Sequence, residues 1–154
     1  MQLCRSSPTL TPHRSVYKSS LTSGIHSRVV TKLQRLSGCD MIIFSGLGSR
    51  MKTPKGEVFE NVNACLNTMG SMKPALPVPA GSQWAGSLGP LYQMMGHVDF
   101  AIVPGRAVSG HPGGPTAGAR SLQQGWDAVT AGATLEDYAA DHPELAQAID
   151  QFQG

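Results

Sequence analysis
Between Ala101 and Arg120 the chain reads AIVPGRAVSGHPGGPTAGAR: a short apolar run, a glycine-rich loop, a His-Pro turn and the start of a helix. Backbone N–H groups and a helix N-terminus can hold a phosphate only where the main chain is uncrowded, and glycines leave that room. Gly105, Gly110, Gly113 and Gly114 supply it here, and Arg106 adds a permanent positive charge. A strand feeding such a loop and helix is how an α/β barrel builds a phosphate site at the C-terminal ends of its strands. The same residues would also suit a surface loop that binds nothing.

The elements that must position this loop follow from apolar periodicity. Ile25, Val29, Val30, Leu33 and Leu36 recur at helical spacing with Gly38 as C-cap, which predicts an amphipathic helix. Met41 to Phe44 is a continuous apolar run bounded by Gly46 and Gly48, suited to a strand buried on both faces. The pattern then repeats: a helix over Glu57 to Met69, a strand over Ala75 to Pro79, a helix over Trp84 to Met95, a strand over Phe100 to Val103. A long helix from Pro115 to Ala131 follows, then short ones over Leu135 to Ala140 and Pro143 to Phe152. Alternating helices and apolar strands mean a parallel sheet with its βα loops gathered at one end. Three marked strands, with a fourth over Pro8 to Pro12, do not close an eight-stranded barrel, and Pro77 and Pro79 fit poorly with regular pairing.

Composition bounds the partners. The chain has 154 residues, 40% hydrophobic and 14% charged, the latter below the roughly 25% usual for soluble domains. A surface so poor in charge implies that part of it is normally covered. The net charge of +2 comes without a basic run or an aromatic ladder, which argues against nucleic acid. No stretch is apolar and long enough to span a membrane. Cys4, Cys39 and Cys65 lack metal-ligand spacing and read as no disulfide framework; Cys39 and Cys65 suit small buried residues in a reducing, cytoplasmic setting. The acid-poor N-terminus lacks a secretory apolar core and reads as the interrupted beginning of a domain.

These cues, in this order, resemble the C-terminal half of the barrel in the RuBisCO large-chain superfamily, and more closely its RuBisCO-like (form IV) branch. His13-Arg14 resembles the His-Arg pair that ends the fifth barrel strand, and Gly24-Ile25-His26-Ser27-Arg28-Val29-Val30 the helix start that follows. Leu36-Ser37-Gly38-Cys39-Asp40 resembles the L-S-G-x-D entry to strand six. Pro77 to Ser82 resembles the end of strand seven, and Gly105 to Pro112 the glycine loop after strand eight. The fold implied is α/β, a partial TIM (β/α)8 barrel: a remnant over 1–12, strands five to eight with their helices over 13–132, and a helical tail over 133–154.

The resemblance implies roles residue by residue. Arg14 would grip one phosphate with a planar fork of donors, and His13 would stand beside the reacting carbons. The backbone of Gly81, Ser82 and Gly105, with Arg106, would bind phosphate and hydroxyls. Departures bear on the reaction. Arg50 stands where the family's mobile loop carries a catalytic lysine, with Lys52 or Lys55 as substitutes only if that loop shifts. Ala80 replaces a serine, Ile43 a histidine, and Arg106 a glycine. Carboxylation of ribulose bisphosphate is therefore disfavoured, and enolisation, isomerisation or decarboxylation of a sugar phosphate favoured.

The family's Mg²⁺ rests on a modified lysine and two carboxylates that precede His13, so no metal ligand is expected in this chain. Two readings result: a segment of a Mg²⁺-dependent RuBisCO-like enzyme that works as a homodimer, or a truncated, non-catalytic product that only binds a phosphorylated ligand.

Overall fold
The computed structural model describes residues 25–47 and 53–153. Along the chain these form α1 (Ser27–Leu36), β1 (Met41–Ser45), α2 (Lys55–Leu66), β2 (Leu76–Ala80), α3 (Ala85–Met95), α4 (Gly105–Ser109), α5 (Gly114–Ala131), α6 (Leu135–Ala139) and α7 (Pro143–Phe152). β1 and β2 pair in parallel, in register from Met41 opposite Leu76 to Ser45 opposite Ala80. Parallel neighbours cannot be joined by a hairpin, so α2 makes the crossover. Ile42 of β1 and Cys65 of α2 share one buried apolar cluster with Cys39 and Ala75. The alternation is that of an α/β barrel segment, and the fourth strand expected over Pro8 to Pro12 lies outside the described residues.

The strand expected over Phe100 to Val103 is reduced to a single parallel bridge between Ala80 and Val103. Backbone chemistry explains the loss. Leu76 donates to the Asp40 carbonyl and the Ala80 carbonyl accepts from Gly46, so these residues of β2 point toward β1. Pro77 and Pro79 point the other way, and their carbonyls accept from Ala101 at 3.1 Å and Val103 at 3.3 Å. Neither proline has an N–H to return, so this edge carries half a ladder. The glycine loop also differs from expectation, because Gly105 to Ser109 closes into a one-turn helix.

α1 is amphipathic as expected, yet its apolar stripe faces outward: Ile25, Val29, Leu33 and Leu36 are 50%, 42%, 54% and 62% exposed. Its polar face packs on α2 instead. The Ser27 hydroxyl donates to Glu57 Oε1 at 2.6 Å, and Thr31 donates to Asn61 Oδ1 at 2.7 Å. Asn61 returns a bond to Ser27 Oγ at 2.8 Å. Arg35, buried, donates to the carbonyls of Ala64 and Asn67 at 2.8 Å and of Lys73 at 3.1 Å. Its charge thereby meets the carbonyl-rich end of α2, where helices carry partial negative charge.

The second half of the chain packs α5 against α3, α4 and α7. Close approach is possible because a Cβ at Gly118 would lie 2.6 Å from the Val108 carbonyl oxygen and one at Gly125 2.7 Å from Ala85 Cβ. Trp126 anchors this side, edge-on to Tyr92 at 5.7 Å and Phe100 at 6.2 Å. Cys65 is a buried free thiol, pushed up to about 12 by burial. Cys39 corrects the expectation of small buried thiols: it is disulfide-bonded. Among the described residues no helix is long and apolar enough to cross a membrane.

Candidate functional site
β2 delivers the chain into a sharp turn at its C-terminal end. Gly81 has φ 85° and Ser82 has φ 54°, the latter a left-handed conformation that a side chain rarely adopts. Such strain persists where surrounding packing holds it, and it gathers at ligand-binding turns. Gln83 follows, almost fully buried, and its amide nitrogen donates to the carbonyls of Leu47 at 2.8 Å and Gly81 at 2.7 Å. Gln83 thus ties the loop after β1 to the loop after β2. Gly46 has to be glycine for this, since a Cβ there would lie 2.7 Å from Gln83 Nε2.

Above this turn opens a cleft of about 500 Å³ whose walls include Lys55, Ser82, Gln83, Trp84, Arg106 and Phe152. Its described lining holds two permanent cations, Lys55 and Arg106, and no carboxylate. A low-charge concavity with cations of one sign favours an anion. Arg106 lies over the Phe152 ring, 5.9 Å from guanidinium carbon to centroid. Phe152 in turn leans on Trp84, with centroids 6.2 Å apart at 48°.

The structure brings together some of the residues singled out by sequence and separates others. Ser82 and Arg106 share the cleft, with Gly81 and Gly105 adjacent to them in the chain. A Cβ at Gly105 would meet nothing within 4 Å, so the backbone there is open. The other loop glycines serve the fold. Gly110 N–H is bonded to the Arg106 carbonyl, Gly114 N–H to the His111 carbonyl, and Gly113 N–H to His111 Nδ1 at 3.0 Å. The expected cradle of four glycine amides is therefore reduced to the neighbourhood of Gly105, because the end of α4 takes Gly110 and the His-Pro turn takes Gly113 and Gly114. His111 is a buried turn-former: with Nδ1 accepting, its Nε2 carries the proton and donates to the Glu144 carbonyl at 2.9 Å. His13, Arg14 and Arg50 lie outside the described residues.

Three cleft residues escaped the sequence reading. Gln83 has no motif of its own, and its tie across two loops depends on the absence of a side chain at Gly46. Trp84 and Phe152 are ordinary aromatic residues in sequence and become a wall only once α7 folds back. Lys55, which the sequence offered only for a shifted loop, lines the cleft from the start of α2.

Comparison with known proteins agrees with this geometry. Residues 3–152 match the family model of the ribulose bisphosphate carboxylase large chain, catalytic domain. A ribulose bisphosphate carboxylase-like protein of Allochromatium vinosum is 57% identical over 129 residues, covering 84% of this chain and 28% of that protein. A 3-oxo-isoapionate-4-phosphate decarboxylase of Rhizobium etli is 34% identical over 153 residues, covering 96% of this chain and 37% of that protein. Among solved structures, a rubisco-like protein, MtnW, from Alicyclobacillus acidocaldarius superposes with a TM-score of 0.79 at 30% identity, covering 92% of this chain and 36% of that one. The chain thus spans about a third of the length of these relatives. A match over nearly all of its residues, with a strand-end cleft on a parallel α/β segment, means that the chain belongs to the RuBisCO large-chain catalytic-domain family, within its RuBisCO-like branch.

Proposed function
We propose that this chain is the C-terminal catalytic-domain segment of a RuBisCO-like enzyme that acts on a sugar phosphate or bisphosphate. The observation that carries the reading is the cleft at the C-terminal end of β2, with Lys55 and Arg106 in its wall and no carboxylate in its described lining. Arg106 offers in-plane N–H donors to phosphate oxygens, a geometry that suits a tetrahedral oxyanion. The strained turn at Gly81-Ser82 and the open backbone at Gly105 are the neutral part of the same site. His13 is assigned proton transfer, Arg14 one substrate phosphate, and Arg50 the mobile-loop position of the family's catalytic lysine, on the resemblance alone. Relatives named as decarboxylases of a phosphorylated compound support enolisation with decarboxylation or isomerisation.

The family's Mg²⁺ does not fit the described residues, among which no group of three or more His, Cys, Asp or Glu side chains comes together. The binding step stands on this chain's own cations, while the chemical step needs the remaining length of the enzyme and a homodimer in the cytoplasm.

Calorimetric titration of the chain with ribulose 1,5-bisphosphate and with inorganic phosphate tests the binding step. Arg106→Ala is expected to weaken both by about tenfold, the loss of one charge-assisted contact of about 1.5 kcal/mol. Equal affinities in the parent and the variant would remove the reading.

A further inference from the structure
Phe152 closes α7, a helix that is no part of the strand–helix alternation of the barrel. Leu145 and Ala148 of α7 are buried, and Phe152 lies on the same helical face at the following turn. The docking that buries Leu145 therefore delivers the Phe152 ring to the cleft. There it touches Trp84 on one side and lies under the Arg106 guanidinium on the other. We propose that Phe152 is the positioning residue for anion capture: it holds Arg106 over the cleft, so that docking of α7 and occupation by a phosphate-bearing ligand favour each other. The proposal rests on the reading of the cleft as a phosphate site.

Three observations carry it. Arg106 is exposed on a one-turn helix, and among the described residues its side chain has no carboxylate partner, which leaves the Phe152 ring as the contact that orients it. A free arginine side chain loses rotamer entropy when it is pinned by a ligand, and a pre-positioned one loses less. Stacking on a ring uses the face of the guanidinium and leaves its edge N–H groups free for phosphate oxygens, so both contacts can be made at once. The far end of α7 is fixed as well. Glu144 accepts from Arg120 and Gln124 at 2.9 Å each, and its carbonyl accepts from His111, in the turn that follows α4 and Arg106. Reciprocity then requires that whatever α7 does for phosphate, phosphate does for α7.

The test uses the full chain and inorganic phosphate, read by calorimetry, by melting and by amide exchange in α7. Phe152→Leu keeps apolar bulk and removes the ring; it is expected to bind phosphate about two- to fivefold more weakly, the range of an exposed cation–π contact, with a near-parental melt. Phe152→Trp should restore parental affinity. Phosphate should raise α7 amide protection in the parent and in Phe152→Trp, and leave it unchanged in Phe152→Leu. Parental affinity in Phe152→Leu, or no change in α7 protection when the parent binds phosphate, would overturn the proposal while the phosphate reading stands. If the parent binds no phosphate, both fall together.

Discussion

Arg35 reaches out of α1 to the carbonyl of Ala64, 2.8 Å away near the end of α2, and so joins two helices by a buried charge held by backbone carbonyls. The carbonyls of Ala64, Asn67 and Lys73 share that charge, which is why burial is tolerated: Nη1 and Nη2 fan out to three acceptors, while Nε meets none among the described residues. Arg35→Met is expected to destabilise the chain by about 3 kcal/mol, because three carbonyls lose a charged partner, that of Ala64 in a buried position. Urea unfolding measures it. A midpoint within error of the parent would show that those carbonyls are satisfied otherwise.

Glu144 gives stability a pH dependence. The Gln124 amide, then Arg120 and the backbone, hold its carboxyl down from 4.5 to about 2. The folded state therefore prefers the ionised form more than the unfolded state does. That contribution is complete above about pH 5 and is lost as the pH falls toward about 2. Unfolding midpoints measured across this interval should fall more steeply in the parent than in Glu144→Gln; parallel curves would contradict the assignment.

Gly46 is the position where the smallest change should disturb the cleft. Gly46→Ala places a methyl group against Gln83 Nε2 and Pro79 Cβ, at 2.7 Å and 3.0 Å, in a packed corner. The expected cost is about 1–3 kcal/mol, together with a loss of phosphate affinity as Gln83 lets the two loops part. An alanine variant that melts and binds like the parent would show that the corner yields freely.

The outward stripe of α1 should make the chain associate. Ile25, Val29, Leu33 and Leu36 form one continuous apolar line, and contiguous exposed apolar surface drives pairing. Sedimentation should show a species larger than the monomer, and Val29→Lys with Leu33→Lys should shift it toward the monomer. A monomeric parent would remove this expectation.

Much of the fold could be read from sequence wherever local periodicity and backbone chemistry decide. The apolar run at Met41 to Phe44, the left-handed turn at Gly38 that ends α1 and the helices around Val58, Leu91 and Ala128 announced themselves, since each depends on neighbours a few residues away. Even the half-formed third strand was foreshadowed by Pro77 and Pro79, whose missing N–H groups are a covalent fact. The site was less legible. Arg106, Ser82 and the glycine loop could be named as types, but not the use of the Gly113 and Gly114 backbone amides by His111, which needs α7 to supply the Glu144 carbonyl.

Amino-acid order by itself determined most of the helices and the two paired strands, where the chain can turn sharply, and which family motifs it carries, because these rest on short-range sterics and hydrogen bonding. Tertiary structure alone decided which face of α1 looks inward, which glycines stay open, and that Phe152 meets Arg106. A helical period specifies a stripe without specifying what it touches, and a contact between distant residues exists only once packing has brought their elements together.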